Sequence, residues 1–232
     1  MPCKFVFTMN KRLLYDLFKH NKMKHKIVHY LFAFIFLMLL SSCGLVFKSV
    51  FGFKKIKEIK TVEYNAFINN IDDQNTKMVF VKSDSTFVSK ISDYGYSKTY
   101  KNYLKQPMQV FLFSENELKF FVANCLVRPK LPNLDWNYQS KFEAFPPKNT
   151  INIDSLGLSL DKFIKHNKTI AEFNVDNYKY AYFVNWNLIS GRQSKLLIEE
   201  IKNNILAFNK EDSTLIILSN TDDFYIKSDI GF

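Results

Sequence analysis

Two apolar runs separated by an amphipathic stretch constrain the fold of this chain most strongly. Residues 180–184 and 214–218 are nearly continuous in apolar side chains, as in strands that are buried on both faces. Between them, residues 193–208 carry apolar side chains at helical spacing. A strand, a helix and a second strand of these lengths predict a βαβ unit with parallel strands. The chain is therefore expected to form an α/β domain around a central mixed sheet, with an α+β arrangement as the alternative.

The remaining elements are shorter. The pattern predicts one strand near residues 78–81, a hairpin, an ordered aromatic surface loop, a short helix and a half-buried strand. In chain order these four further features lie at residues 109–122, 126–150, 159–166 and 170–175.

The stretch from Tyr182 to Asp222 resembles the start of thioredoxin-like lipoproteins. In that family a strand ends in Trp, a Cys-x-x-Cys turn opens a helix, and the next strand ends in small polar residues and Asp. The resemblance implies a single three-layer thioredoxin-like domain over residues 61–232. It also implies a candidate binding turn formed by Trp186, Asn187, Ser190 and Asp222. This turn contains no cysteine. Thioredoxin chemistry needs a reactive thiolate and a resolving thiol, so a redox-inactive domain is expected.

A second segment fits that family in the wrong order. Gln106-Pro107-Met108 resembles its cis-proline strand, but it precedes the βαβ unit instead of following it. Only ten residues follow Asp222, too few for the family's closing hairpin and helix. Either the elements are permuted, which would place Pro107 beside the candidate turn, or the proline similarity is accidental.

The N-terminal region predicts where the protein resides. Residues 27–40 form an apolar run of fourteen positions behind three lysines. A membrane-spanning helix needs about 20 apolar residues, so the run fits the core of a secretory signal better than a permanent span. The following Leu40-Ser41-Ser42-Cys43-Gly44 resembles the lipobox of bacterial lipoproteins. That resemblance implies a signal peptide over residues 1–42, cleavage before Cys43 and acylation of its thiol. The alternative is an uncleaved signal anchor.

Three further expectations concern this region. In the lipoprotein family, Gly44 in place of aspartate favours the outer membrane, with the domain facing the periplasm. Met23 begins a more typical signal, so residues 1–22 are a candidate untranslated extension. Residues 43–60 are expected to be a lipidated tether that leads into an amphipathic helix, or a basic stretch lying against anionic headgroups.

Charge and residue usage argue against several classes of function. The net charge of +10 falls to +4 after residue 42, because residues 1–42 hold seven basic groups and one acid. We therefore expect no nucleic-acid partner. His166 is the sole histidine after Cys43 and is predicted to face solvent, while Cys125 is predicted to be a buried small hydrophobe. No metal or cofactor is expected.

These observations favour a membrane-anchored lipoprotein with an accessory or interaction role, bound to an envelope protein or peptide. Two alternatives remain open. One is an envelope enzyme that acts through carboxylates, for which Asp222 is the candidate because strand ends in α/β sheets face ligands. The other is an immunity-type lipoprotein that binds a toxin.

Overall fold

A five-stranded mixed sheet organises the protein. The computed structural model describes residues 52, 56–72, 75–83, 85–166, 170 and 172–227. The sheet order is β1-β7-β6-β2-β3, in which β1, β7 and β6 are parallel and β2 and β3 are antiparallel to their neighbours. These strands are β1 (Lys77–Lys82), β2 (Gln109–Ser114), β3 (Glu117–Ala123), β6 (Tyr180–Trp186) and β7 (Thr214–Asn220).

Six α-helices and a small hairpin accompany the sheet within the described part of the chain. The hairpin pairs β4 (Arg128–Lys130) with β5 (Asn133–Asp135). The helices are α1 (Thr61–Ile71), α2 (Phe87–Ser92), α3 (Lys98–Tyr103), α4 (Leu160–His166), α5 (Gly191–Ala207) and α6 (Asp222–Lys227).

Both faces of the sheet are covered, which gives three layers. Successive side chains of a strand point to opposite faces. Val110 and Leu112 of β2 accordingly join one hydrophobic core, whereas Phe111 and Phe113 join the other. The first core packs against α1, α5 and the segment after β3. The second core packs against α2, α4 and the residues around α3. The α/β class and the mixed sheet are thus confirmed.

The predicted βαβ unit is present. Strand β6 pairs in parallel with β7, and α5 connects them. Every residue of β7 is buried, as expected for a strand between two others. Helix α5 buries Leu197, Ile198, Ile201 and Ile205 on one face, which matches the helical spacing that predicted it.

The predicted hairpin of β2 and β3 is also present, with a two-residue turn at Glu115 and Asn116 and a bulge next to Leu112. Asn116 ties this turn to the start of α4. Its Oδ1 accepts a hydrogen bond from Asp161 N at 3.0 Å, and its Nδ2 donates to Asp161 Oδ2 at 2.6 Å.

The aromatic segment after β3 is ordered, as predicted, and it also contains the β4–β5 hairpin. Trp136 and Phe142 are buried in the first core. Asn204 of α5 holds the segment through Nδ2, which donates to the carbonyls of Phe142 at 2.6 Å and Ala144 at 2.9 Å. Lys141 is buried and donates to two main-chain carbonyls. Desolvation lowers its pKa, while the charge of Asp135 partly counteracts that effect.

Three sequence predictions are wrong. The stretch at 170–175 is not a strand, because Val175 begins a 3₁₀ turn that runs to Asn177. Cys125 is exposed within the 3₁₀ turn 124–126, where the chain leaves the sheet. His166 is half-buried, and its Nε2 lies 2.9 Å from the hydroxyl of Tyr94. Contacts between residues far apart in sequence, such as Tyr94 and His166, are not encoded in local apolar patterning.

The signal peptide and Cys43 lie outside the described residues. Every described residue belongs to one compact unit within Lys48–Phe232. Within this described part, no helix combines the length and apolar character that a membrane crossing requires.

Candidate functional site

The five candidate residues of the turn lie together at one edge of the sheet. The carboxyl ends of β1, β7 and β6 share this edge with the start of the antiparallel β2. Trp186 is the last residue of β6, and Asp222 follows β7 at the start of α6. Asn187 and Ser190 lie in the turn that leads to α5, and Pro107 precedes β2. The sequence prediction that these residues are neighbours across the fold is consistent with this geometry.

Asn187 organises the turn with both ends of its side chain. Its Nδ2 donates to the carbonyl of Pro107 at 2.8 Å, which joins the turn to the segment before β2. Its Oδ1 accepts from the main-chain N–H of Ser190 at 2.8 Å. One turn into α5, the hydroxyl of Ser194 donates to the Asn187 carbonyl at 3.0 Å. Asn187 therefore fixes the entry to the helix on both sides.

Asp222, which follows the neighbouring strand β7, binds the same turn. Leu188 N donates to both carboxylate oxygens, at 2.8 and 3.0 Å, and Ile189 N donates to Oδ1 at 3.3 Å. Asn220 Nδ2 donates to Oδ2 at 2.8 Å. Burial raises the pKa of Asp222, and these hydrogen bonds only partly offset that effect. The carboxylate therefore acts as the acceptor for amides that precede α5 and have no partner within the helix.

Helix α1 covers the turn. Phe67 stacks on Trp186 with ring centroids 4.3 Å apart and planes 9° from parallel, and Tyr64 stacks at 5.6 Å. Burial raises the pKa of Tyr64, and the negative charge of Asp222 raises it further. Trp186 is also held through its carbonyl, which accepts from Thr221 N at 2.9 Å and Thr221 Oγ1 at 3.1 Å.

The candidate turn is consequently buried. Asp222, Ser190 and Asn187 are each 0% exposed, and Trp186 and Pro107 are buried as well. The resemblance of residues 106–108 to a cis-proline strand fails at the peptide bond. Among the described residues, the cis bonds precede Pro132 and Pro146, not Pro107.

Some polar atoms at this edge have no hydrogen-bond partner among the described residues: Trp186 Nε1, Ser190 Oγ and Asn185 Oδ1. The other end of the Asn185 amide donates to Gln109 Oε1 at 2.7 Å across the β6–β2 pair. A buried unpartnered polar group costs stability. The main-chain groups at this edge are therefore hydrogen-bonded, whereas these three side-chain atoms are not.

Sequence reasoning missed several residues that build the edge. Ser194, Asn220 and Thr221 make side-chain hydrogen bonds to it, and Phe67 and Tyr64 cover it. The polar residues at the end of β7 were a usable signal, because small polar residues at a strand end often bond to neighbouring turns. Nothing local in the sequence of α1 indicates that its aromatic rings reach residue 186.

A groove of about 410 Å³ lies between the β4–β5 hairpin and α5. Asp135 and Glu200 are among its lining residues, and the pKa of Glu200 is raised by burial and by the charge of Asp135. Two buried polar atoms of the lining residues, Trp136 Nε1 and Asn133 Oδ1, have no partner among the described residues. On α5 the groove is lined by Leu196 and Glu200.

No metal centre is apparent in the described ranges, because they hold no group of three or more His, Cys, Asp or Glu side chains able to share an ion. Comparison of the chain with protein-family models, with curated proteins and with solved structures gave no match. The site must therefore be interpreted from its own geometry.

Proposed function

We propose that this chain is a lipid-anchored envelope protein whose domain is a permuted, redox-inactive thioredoxin-like scaffold with an accessory, partner-binding role. The sheet supports this proposal. In thioredoxin-like domains, the strand leading into the active turn lies between its parallel βαβ partner and an antiparallel hairpin. Here β6 lies between the parallel β7 and the antiparallel β2–β3 hairpin, although that hairpin comes first in the chain.

The observation that carries the non-catalytic part of the proposal is the bonding of Asp222. Its carboxylate receives hydrogen bonds from Leu188, Ile189 and Asn220 inside the protein. These bonds use acceptor positions that a general base would need for substrate. In a thioredoxin-like enzyme, the same turn would present a thiolate at the helix start. We infer that the edge has become part of the scaffold.

Partner binding is then assigned to the groove beside the β4–β5 hairpin. We assign to it an extended peptide, whose main-chain carbonyl and N–H groups pair with the buried Trp136 Nε1 and Asn133 Oδ1 once the groove opens to admit it. Asp135 and Glu200 favour a basic side chain in that peptide. Trp186 belongs to the same hydrophobic core as Trp136, which lines the groove.

The lipid anchor is supported by the residues around Cys43. Two or more acyl chains hold a protein stably at a bilayer, at roughly 0.8 kcal/mol per buried methylene group. We propose cleavage before Cys43, acylation of its thiol, and placement of the domain on the periplasmic side of the outer membrane.

Metabolic labelling with palmitate tests the anchor. The wild-type protein and Cys125→Ser should both incorporate label, whereas Cys43→Ser should incorporate none. Cys125 is a matched control because it is the only other cysteine after residue 42. Label in Cys43→Ser, or a mature protein whose mass still includes residues 1–42, would contradict the proposed anchor.

Site-specific photo-crosslinking tests the groove. A crosslinking amino acid at Asn133 should capture one envelope partner, and Glu200→Lys should abolish that product. The same group at Tyr96, which is 77% exposed and lies beside the second core, is the control. Equal products from both positions, or a product insensitive to Glu200→Lys, would refute binding at the groove.

A further inference from the structure

The tip of the β4–β5 hairpin exposes an aliphatic side chain that follows two basic residues. Leu131 is 71% exposed at the turn, and Arg128 and Lys130 are also exposed. A single exposed leucine is common on protein surfaces and carries no meaning by itself. This tip lies close to the start of the domain, and that position makes its exposed leucine relevant to membrane binding.

The first turn of α5 joins the tip to the chain that leads from the proposed anchor. Arg192 donates from Nη2 to the carbonyl of Pro132 at 2.7 Å. The same side chain packs against Gly52, where an added Cβ would lie 3.4 Å from Arg192 Cζ. Gln193 Oε1 accepts from Leu134 N at 2.9 Å, which fixes the hairpin at its second strand. The tip and Gly52 are therefore neighbours through one arginine.

The covalent chain limits how far this neighbourhood can lie from a bilayer. Gly52 follows Cys43 by nine residues. Nine residues span at most about 30 Å when fully extended. If Cys43 is acylated, its sulfur lies at the membrane interface, and the hairpin tip is within reach of the headgroups.

The chemistry of the tip fits an anionic bilayer. Lysine and arginine side chains near such a surface are attracted to its headgroups, and an aliphatic side chain beside them can enter the interface. The chain between Gly52 and the end of the first turn of α1 adds four lysines against two glutamates. Val62 of that turn is 80% exposed.

We propose that the hairpin tip, residues 128–132, is a second membrane contact that orients the domain on the bilayer. Leu131 inserts at the interface, and Arg128 and Lys130 lie against anionic headgroups. The contact places the first turn of α5 and the adjoining groove beside the membrane. This inference rests on the proposed acylation of Cys43.

Depth-dependent fluorescence quenching tests the contact. The acylated full-length gene product is reconstituted in phosphatidylcholine vesicles that carry brominated acyl chains, with and without phosphatidylglycerol. Leu131→Trp is compared with Tyr96→Trp, and the wild-type signal of Trp136 and Trp186 is subtracted. Both substituted positions are highly exposed, so neither variant should disturb the core.

The expected result is several-fold stronger quenching of Leu131→Trp than of Tyr96→Trp, together with a blue shift of its emission. Adding Lys130→Glu to Leu131→Trp should reduce quenching in vesicles with phosphatidylglycerol and change little without it. Equal quenching of the two tryptophans would overturn the proposal. Quenching that is the same with and without phosphatidylglycerol would also overturn it. So would shielding of position 131 that appears only when a protein partner is added.

Mass spectrometry of the same sample separates the two failures. Acyl chains on Cys43 with no preferential quenching would refute the hairpin contact alone. A mass without acyl chains would refute the proposed anchor, and with it the membrane contact that depends on it.

Discussion

Replacing Asp222 should weaken the fold far more than replacing its neighbour in sequence. Asp222→Ala removes the acceptor for the main-chain N–H groups of Leu188 and Ile189 and for the amide of Asn220. A buried donor left without a partner costs about 1–3 kcal/mol. The two main-chain N–H groups left without an acceptor therefore predict a loss of about 3 kcal/mol in the free energy of unfolding. This value allows for the gain from no longer burying a charge.

Asp223→Ala is the matched control in the same turn of α6. Asp223 pairs with Lys82 at 3.2 Å, and the lysine side chain is 61% exposed. Pairs of this kind contribute about 0–1 kcal/mol. Asp222→Asn retains an acceptor oxygen and the side-chain volume, so it should cost less than Asp222→Ala.

The assay is urea unfolding of the full-length protein in detergent, followed through the buried Trp136 and Trp186. The free energy of unfolding measured in this way should depend on pH, and the shifted pKa of Asp222 determines the direction. Because burial raises the pKa of Asp222, the native state holds this proton up to a higher pH than the unfolded chain does. The stability contributed by Asp222 is thus full below its ordinary pKa, about 3.9, and is lost as pH rises through the native value.

The difference in stability between wild type and Asp222→Asn should therefore shrink from acidic to neutral pH. Equal losses for Asp222→Ala and Asp223→Ala would refute the structural role of the carboxylate. A variant Asp222→Asn that folds normally but loses an activity on envelope extracts would instead favour the carboxylate enzyme.

Three further predictions concern other parts of the domain. Asn204→Leu should lower the free energy of unfolding by about 2–4 kcal/mol in urea, because the carbonyls of Phe142 and Ala144 and the Tyr182 hydroxyl lose their partner. Asn203→Leu, at an exposed position, is the control and should change stability little. Phe67→Ala should speed amide hydrogen exchange in α1 by at least about tenfold, since the helix buries little besides Ile71 and relies on stacking against the sheet edge; unchanged exchange would contradict that reliance. Cys125 should react with iodoacetamide at least about tenfold more slowly at pH 8 than an ordinary thiol, as measured by peptide mass spectrometry, because desolvation raises its pKa to about 11 despite its surface position.

The sequence was informative where long buried elements repeat a clear period. The strands β6 and β7 and the helix α5 follow from apolar patterning, because buried parallel strands and an amphipathic connection leave little ambiguity. The hairpin of β2 and β3 follows from two apolar runs around a polar turn. Residues 170–175 show the limit of this reasoning, since a short alternating run was predicted as a strand, whereas its described residues form no strand and Val175 begins a 3₁₀ turn.

The sequence could predict which residues form the candidate site, but it could not predict that they are buried. Trp186, Asn187 and Asp222 follow buried strands, so their proximity could be inferred from the βαβ pattern. Their burial depends on α1, which reaches the edge from more than one hundred residues away in sequence. A contact of that kind is set by the whole fold, and only the structure shows that the turn faces a helix where a solvent-facing surface was expected.

The bonding of Asp222 explains how this turn keeps its shape without cysteines. Amides that precede a helix have no acceptor within it, and they favour negative charge nearby. In a thioredoxin-like enzyme, that property stabilises a thiolate. Here the carboxylate of Asp222, at the start of α6, supplies the negative group, with Leu188 and Ile189 as its donors. We therefore expect that cysteines introduced at residues 187–190 would not by themselves give redox chemistry, because the carboxylate of Asp222, bonded to Leu188 and Ile189, would oppose formation of a second negative charge in the turn.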